Sequence, residues 1–92
     1  MQQESAELIG LKVLGWLASD EDIFPVFLGA SGIAANELKE RAGEVEILCA
    51  VLDFVTMDDE WVQACARATG IDPHDPMRAR QALPGGAQIH WT

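Results

Sequence analysis

The sequence predicts an all-α protein: a compact six-helix bundle built from two pseudo-repeated three-helix units offset by 38 residues. Three observations carry that expectation. The chain echoes itself, because Ile9, Val13, Leu14, Asp20, Ala30, Gly32 and Ile33 recur as Ile47, Val51, Leu52, Asp58, Ala68, Gly70 and Ile71, and self-similarity at a fixed period speaks to architecture first. The apolar residues group at helical spacing rather than alternating. Breakers and caps also recur between the apolar stretches, with Asp20-Glu21-Asp22 and Gly32 in one copy and Asp58-Asp59-Glu60 and Gly70 in the other. Two copies are too few for a free solenoid. The expectation is therefore one helical domain over residues 1–86, with units at about 8–43 and 46–81, followed by a C-terminal tail, 87–92.

The first helix is predicted from about Ser5 to Ala18. Leu8, Ile9, Leu11, Val13, Leu14, Trp16 and Leu17 spread over most of its circumference at 100° per residue, so the spacing predicts a largely buried helix. Gly10 and Gly15 interrupt it at roughly 1 kcal/mol each relative to Ala, which close approach by another helix would compensate. Its counterpart runs from about Glu44 to Thr56, where Val45, Ile47, Leu48, Val51, Leu52, Phe54 and Val55 are apolar and Glu46 and Asp53 mark the wet side. These two helices are the expected centre of the core.

The second helix of each unit follows an acidic triplet that supplies caps and first-turn negative charge suited to the helix dipole. With Asp22 as cap, Pro25 falls in the first turn. Ile23, Phe24, Phe27 and Leu28 make one stripe, and Trp61, Val62, Cys65 and Ala66 take the same places in the second copy. Both helices stop at a glycine, Gly32 or Gly70, the residue that the left-handed C′ position favours. Third helices are predicted over about Ala35–Ala42 and Pro76–Leu83, the latter introduced by Asp72-Pro73 and Asp75-Pro76. Pro84-Gly85-Gly86 ends the regular structure, and Ile89 and Trp91 make the tail apolar enough to fold back.

Ninety-two residues, 49% apolar and 23% charged, describe one small globular domain that buries roughly 60–65% of its unfolded surface. No apolar run approaches the ~18–20 residues of a membrane span, because Lys12, Asp20 and Asp53 interrupt the best candidates. Met1-Gln2-Gln3-Glu4-Ser5 lacks a positive leader region, and Cys49 and Cys65 sit in apolar helical stretches as reduced thiols would. The expected location is the cytoplasm. A net charge of −9 opposes duplex binding, whose affinity comes mostly from cations on phosphates, and favours basic partners.

The constellations that could carry chemistry are few. Gln63 to Pro73 resembles a helix-turn-helix, with a small residue, a glycine and a following Ile, and Arg78 and Arg80 could then meet phosphate. A helix–glycine–helix corner used for packing explains the same residues. His74 and His90 stand alone, the cysteines lack C-x-x-C spacing, and a composite Cys65–His74–Asp75 site is a chance mixture. The paired carboxylates of both triplets are accounted for by capping, whereas acid–base work needs a desolvated one. No catalytic, cofactor-binding or metal residue is expected, and no cofactor. Trp16 and Trp61 belong to the core by their place in the repeat. Trp91 cannot be placed by periodicity and is the candidate anchor for a protein partner.

Taken together, the buried first helix, Phe27-Leu28-x-x-Ser31-Gly32-Ile33, Ala50-Val51-Leu52-Asp53-Phe54 and Ala82-Leu83-Pro84-Gly85-Gly86…His90-Trp91 resemble a small bacterial family, the domain of unknown function 3572. The resemblance covers nearly the whole chain and implies a single cytoplasmic domain; it brings no catalytic or binding residues with it. By elimination, the expected function is that of a non-enzymatic protein-interaction or regulatory module, with an unknown protein as partner. The alternative is a helix-turn-helix-like nucleic-acid-binding protein.

Overall fold

The computed structural model describes residues 1–84. Among them the regular structure is entirely helical: α1 Gln3–Ser19, α2 Phe24–Ser31, α3 Ala35–Arg41, α4 Val45–Val55, α5 Asp59–Thr69 and α6 Asp75–Ala82. The all-α expectation holds, with boundaries within two residues of those predicted for α1.

α1 buries Ala6, Gly10, Val13, Leu14 and Leu17, steps of three and four residues that place them on one face. Gly10 is on this face because α4 crosses there: a Cβ at Gly10 would lie 3.2 Å from Leu48 Cβ. The expectation of close approach at Gly15 is not met, since a Cβ there would meet nothing within 4 Å. Nor is α1 buried around most of its circumference. Leu8 and Leu11 face outward, 61% and 41% exposed, because α4, α5 and α6 all pack on the inner side of α1.

At the end of α1 the Ser19 hydroxyl donates to the Trp16 carbonyl at 2.7 Å. The turn into α2 is organised by Asp20 rather than by Asp22, the expected cap. Asp20 Oδ1 accepts the N–H groups of Asp22 and Ile23, each at 2.9 Å, and Pro25 then occupies the first turn. α5 starts on Asp58, whose carboxylate accepts the Glu60 N–H at 2.9 Å. Gly32 (φ 75°) and Gly70 (φ 82°) close α2 and α5 in the left-handed region, where a side chain would be strained.

α4 lies at the centre, burying Ile47, Leu48, Val51, Leu52, Phe54 and Val55, with Asp53 and Glu46 exposed as predicted. Phe27 of α2 meets Phe54 edge-on at 5.3 Å, and Trp61 of α5 stacks on the same ring at 4.8 Å. The third helices are not equivalent. α6 turns Pro76, Ala79 and Arg80 inward and packs against both α1 and α4. α3 buries Leu38 alone and touches the rest of the protein only slightly. α3 and α6, expected as counterparts, therefore differ in their surroundings.

Candidate functional site

The residues singled out by sequence scatter through the fold rather than converging. Asp20 is engaged in the turn before α2 and Asp58 in capping α5. Cys65 is fully buried, and burial pushes its thiol up from the ordinary range. His74 is exposed, its Nδ1 2.9 Å from Asp72 Oδ1. The same oxygen accepts the His74 backbone N–H at 2.8 Å, which holds the Asp72 carboxyl below the usual carboxylate range. Among the described residues no three His, Cys, Asp or Glu side chains converge as metal ligands. Trp91, Ile89 and His90 lie outside the described residues.

The arginines correct the sequence reading most directly. Arg80, which the helix-turn-helix alternative would set on phosphate, is 9% exposed. Its Nε donates to Asp53 Oδ1 at 2.7 Å, and its buried Nη1 has no acceptor among the described residues. Arg78 stays exposed but acts on Asp72, helping to hold that carboxyl down. Arg67 lines an open groove of about 540 Å³ together with Asp58, Asp59 and Glu60. The three arginines therefore share no carboxylate-free face. Cys49, read from sequence as buried, is half-buried beside this cluster, its Sγ 4.0 Å from the Pro84 carbonyl oxygen. Burial raises that thiol, and the nearby Arg80 charge partly opposes the rise.

The outer surface holds what sequence reasoning missed. Between α1, the start of α2 and α3 runs an open groove of about 300 Å³ lined by Leu14, Ala18, Phe24, Ala35, Leu38 and Ala42, with Lys39 as its one charged residue. It exists because α3 stands off from α1 with Leu38 as its only buried side chain. Leu8, Leu11, Gly15 and Ala18 are exposed at steps of three and four residues, so they form a stripe along α1 that runs into the groove at Ala18. A signal was present: α1 carries more large apolar side chains than one buried face can hold. A second, smaller groove of about 200 Å³ lies between α2 and α4, lined by Phe27, Ala30, Ala50, Phe54 and Met57, with Asp53 at its edge.

Among the described residues no helix is long and apolar enough to cross a membrane. A family model described as "Protein of unknown function (DUF3572)" matches residues 3–86, nearly the whole chain, and the chain belongs to that family. The resemblance read from Ala50–Phe54 and the surrounding motifs is thereby borne out. No curated protein and no solved structure matches the chain.

Proposed function

We propose that this member of the DUF3572 family is a non-enzymatic protein-interaction module. Its groove between α1, α2 and α3 takes the apolar face of a basic amphipathic helix from a partner protein. The observation that carries this reading is the continuity of apolar surface from Leu8 and Leu11 along α1 into the groove formed by Ala18, Phe24 and Leu38. Isolated exposed leucines are ordinary, whereas a contiguous apolar surface ending in a groove is the form in which helices are recognised.

The charge decides between occupants. With a net charge of −9, a second copy would bring like charge to like charge, while a basic helix is attracted at long range. The nucleic-acid alternative has less behind it, since Arg80 is buried and bound to Asp53 and Arg67 lies against carboxylates.

The test compares wild-type protein with a Leu8→Gln/Leu11→Gln variant in affinity capture at low and moderate salt. Both side chains are exposed, so the variant should keep its stability within about 0.5 kcal/mol. The proposal requires a basic protein that the wild type retains, that the variant loses, and that salt weakens. Retention by both forms would place docking elsewhere. Concentration-dependent dimerisation abolished by the same substitutions would make the occupant a second copy, and salt-sensitive binding of duplex DNA would revive the alternative.

A further inference from the structure

Two glycines interrupt α1, and the described fold uses only one of them. A helix-interior glycine is disfavoured relative to Ala, and it persists where a turn, a left-handed backbone or a close approach requires it. Gly10 meets the last condition, since a Cβ there would lie 3.2 Å from Leu48 Cβ. Gly15 meets none of them among the described residues. It lies inside α1, which continues to Ser19, its φ is not positive, and a Cβ on it would find no atom within 4 Å.

Its position indicates what would use it. Leu8, Leu11, Gly15 and Ala18 are exposed at alternating steps of three and four residues, the spacing of a coiled-coil seam. They lie on the side of α1 opposite buried Ala6, Val13 and Leu17. Such a seam takes a second helix along its length, and small side chains shorten the distance between the two axes. Charge gives the seam a direction. Glu4 falls on the same face one turn before Leu8, and Lys39 is the one charged residue lining the groove at the other end. Helices favour acids in their first turn and bases in their last, so a helix that matches both ends runs antiparallel to α1.

Resting on the interaction reading above, we propose that the partner helix lies antiparallel along this seam and makes its closest crossing at Gly15. Its basic C-terminal turn meets Glu4 and its acidic first turn meets Lys39. Gly15 is then the residue that sets specificity, because a methyl group there holds apart two backbones that must approach. The same substitution strengthens α1 and weakens binding.

Glu4 to Ala18 covers roughly 21 Å of helix, so the probe is a synthetic amphipathic peptide of about 18 residues. Its apolar face is leucine with one central alanine, its first turn carries two glutamates, and the rest of its polar face is lysine. Fluorescence anisotropy gives its Kd for wild type, Gly15→Ala and Leu8→Gln/Leu11→Gln. Gly15→Ala should melt no lower than wild type yet bind at least about fivefold more weakly. A nitroxide at the C-terminal end of the peptide should broaden the amides of Glu4 and Leu8 more than those of Ala18 and Lys39 in the ¹⁵N-labelled chain. Both results together support the proposal. Unchanged or tighter binding by Gly15→Ala, with binding lost in Leu8→Gln/Leu11→Gln, would overturn the crossing and leave the interaction reading standing. Stronger broadening at Ala18 and Lys39 would overturn the direction. Wild type failing to bind, or Leu8→Gln/Leu11→Gln binding as wild type does, would remove the interaction surface itself and this proposal with it.

Discussion

Two glycines in one helix should respond to the same substitution with opposite signs. Gly10→Ala and Gly15→Ala each remove a helix-interior glycine, and the propensity gain is about 1 kcal/mol in both cases. At Gly15 nothing opposes it, because the new methyl meets no atom within 4 Å; the variant should be about 1 kcal/mol more stable than wild type. At Gly10 the methyl would sit 3.2 Å from Leu48 Cβ and 3.3 Å from Leu48 Cδ2. The Cδ2 can move with a change of rotamer. The Cβ cannot, since it is fixed to the backbone of α4, and Leu48 is fully buried. Relief therefore means parting α1 from α4, and overpacking of this kind costs about 1–3 kcal/mol. Taking about 2 kcal/mol as central leaves Gly10→Ala about 1 kcal/mol less stable, so the two variants should differ by about 2 kcal/mol. In a domain of this size that is roughly 8–16 °C in Tm. Urea unfolding followed by helical circular dichroism measures both variants against wild type, and equal m-values would keep the comparison within one two-state scheme. Stabilisation of Gly10→Ala to the same extent as Gly15→Ala would refute the close crossing of α1 and α4.

Three further outcomes follow from the core and the ion pairs. Leu52, fully buried at the centre of α4, should cost about 2–5 kcal/mol when cut to Ala, and a loss under ~1 kcal/mol in urea would show that α4 is not central. Asp53→Ala removes the acceptor from a buried guanidinium and should cost about 1–3 kcal/mol. Arg80→Met keeps the stem and removes the charge, so it should cost under ~1 kcal/mol; the reverse order would contradict the pairing. Asp72 has a depressed folded pKa because it accepts the His74 N–H, so its contribution is complete above its unfolded value near ~4 and is lost as pH falls through the folded value. The stability gap between wild type and Asp72→Asn should therefore close with acidification, and a gap that persists undiminished to strongly acidic pH would show that the bond does not form.

Much of the fold was legible because it depends on local physics. Gly32 and Gly70 ended α2 and α5 as read, since only the left-handed region closes a helix that way. The apolar set of α4 was correct because Glu46 and Asp53 identify its wet side unambiguously. α1 was misread for the converse reason: its outward face holds Leu8 and Leu11 where polar residues would normally mark it. Periodicity reports where apolar residues are, not which of them find a partner. The burial of Arg80 could not be read for the same reason: a charge two residues from exposed Arg78 gives no local sign that Asp53, 27 positions earlier, will draw it inward. The echo itself did not foretell the difference between α3 and α6, because that difference lies in tertiary packing.

The weak attachment of α3 leads to a final prediction. Seven residues fall well short of the roughly 12–15 at which an isolated helix becomes marginal in water, so α3 depends on its surroundings for helicity. Those surroundings supply one buried side chain, Leu38, and the exposed links of Arg41 to Glu37 at 2.8 Å and to Glu44 at 2.9 Å. Exposed pairs of this kind contribute at most about 1 kcal/mol and weaken with salt. α3 should therefore open locally, at a free energy well below that of global unfolding, and every opening widens the groove it shares with Leu14, Ala18 and Phe24. Native-state hydrogen exchange should show the amides of Lys39, Glu40 and Arg41 exchanging faster than those of Val51, Leu52 and Phe54, and faster still in high salt. A partner helix seated in the groove should slow the first set and leave the second unchanged. Protection of α3 equal to that of α4 in the free protein would mean that α3 is held by more than Leu38, and the groove would then be a fixed surface feature rather than a gap that a partner can close.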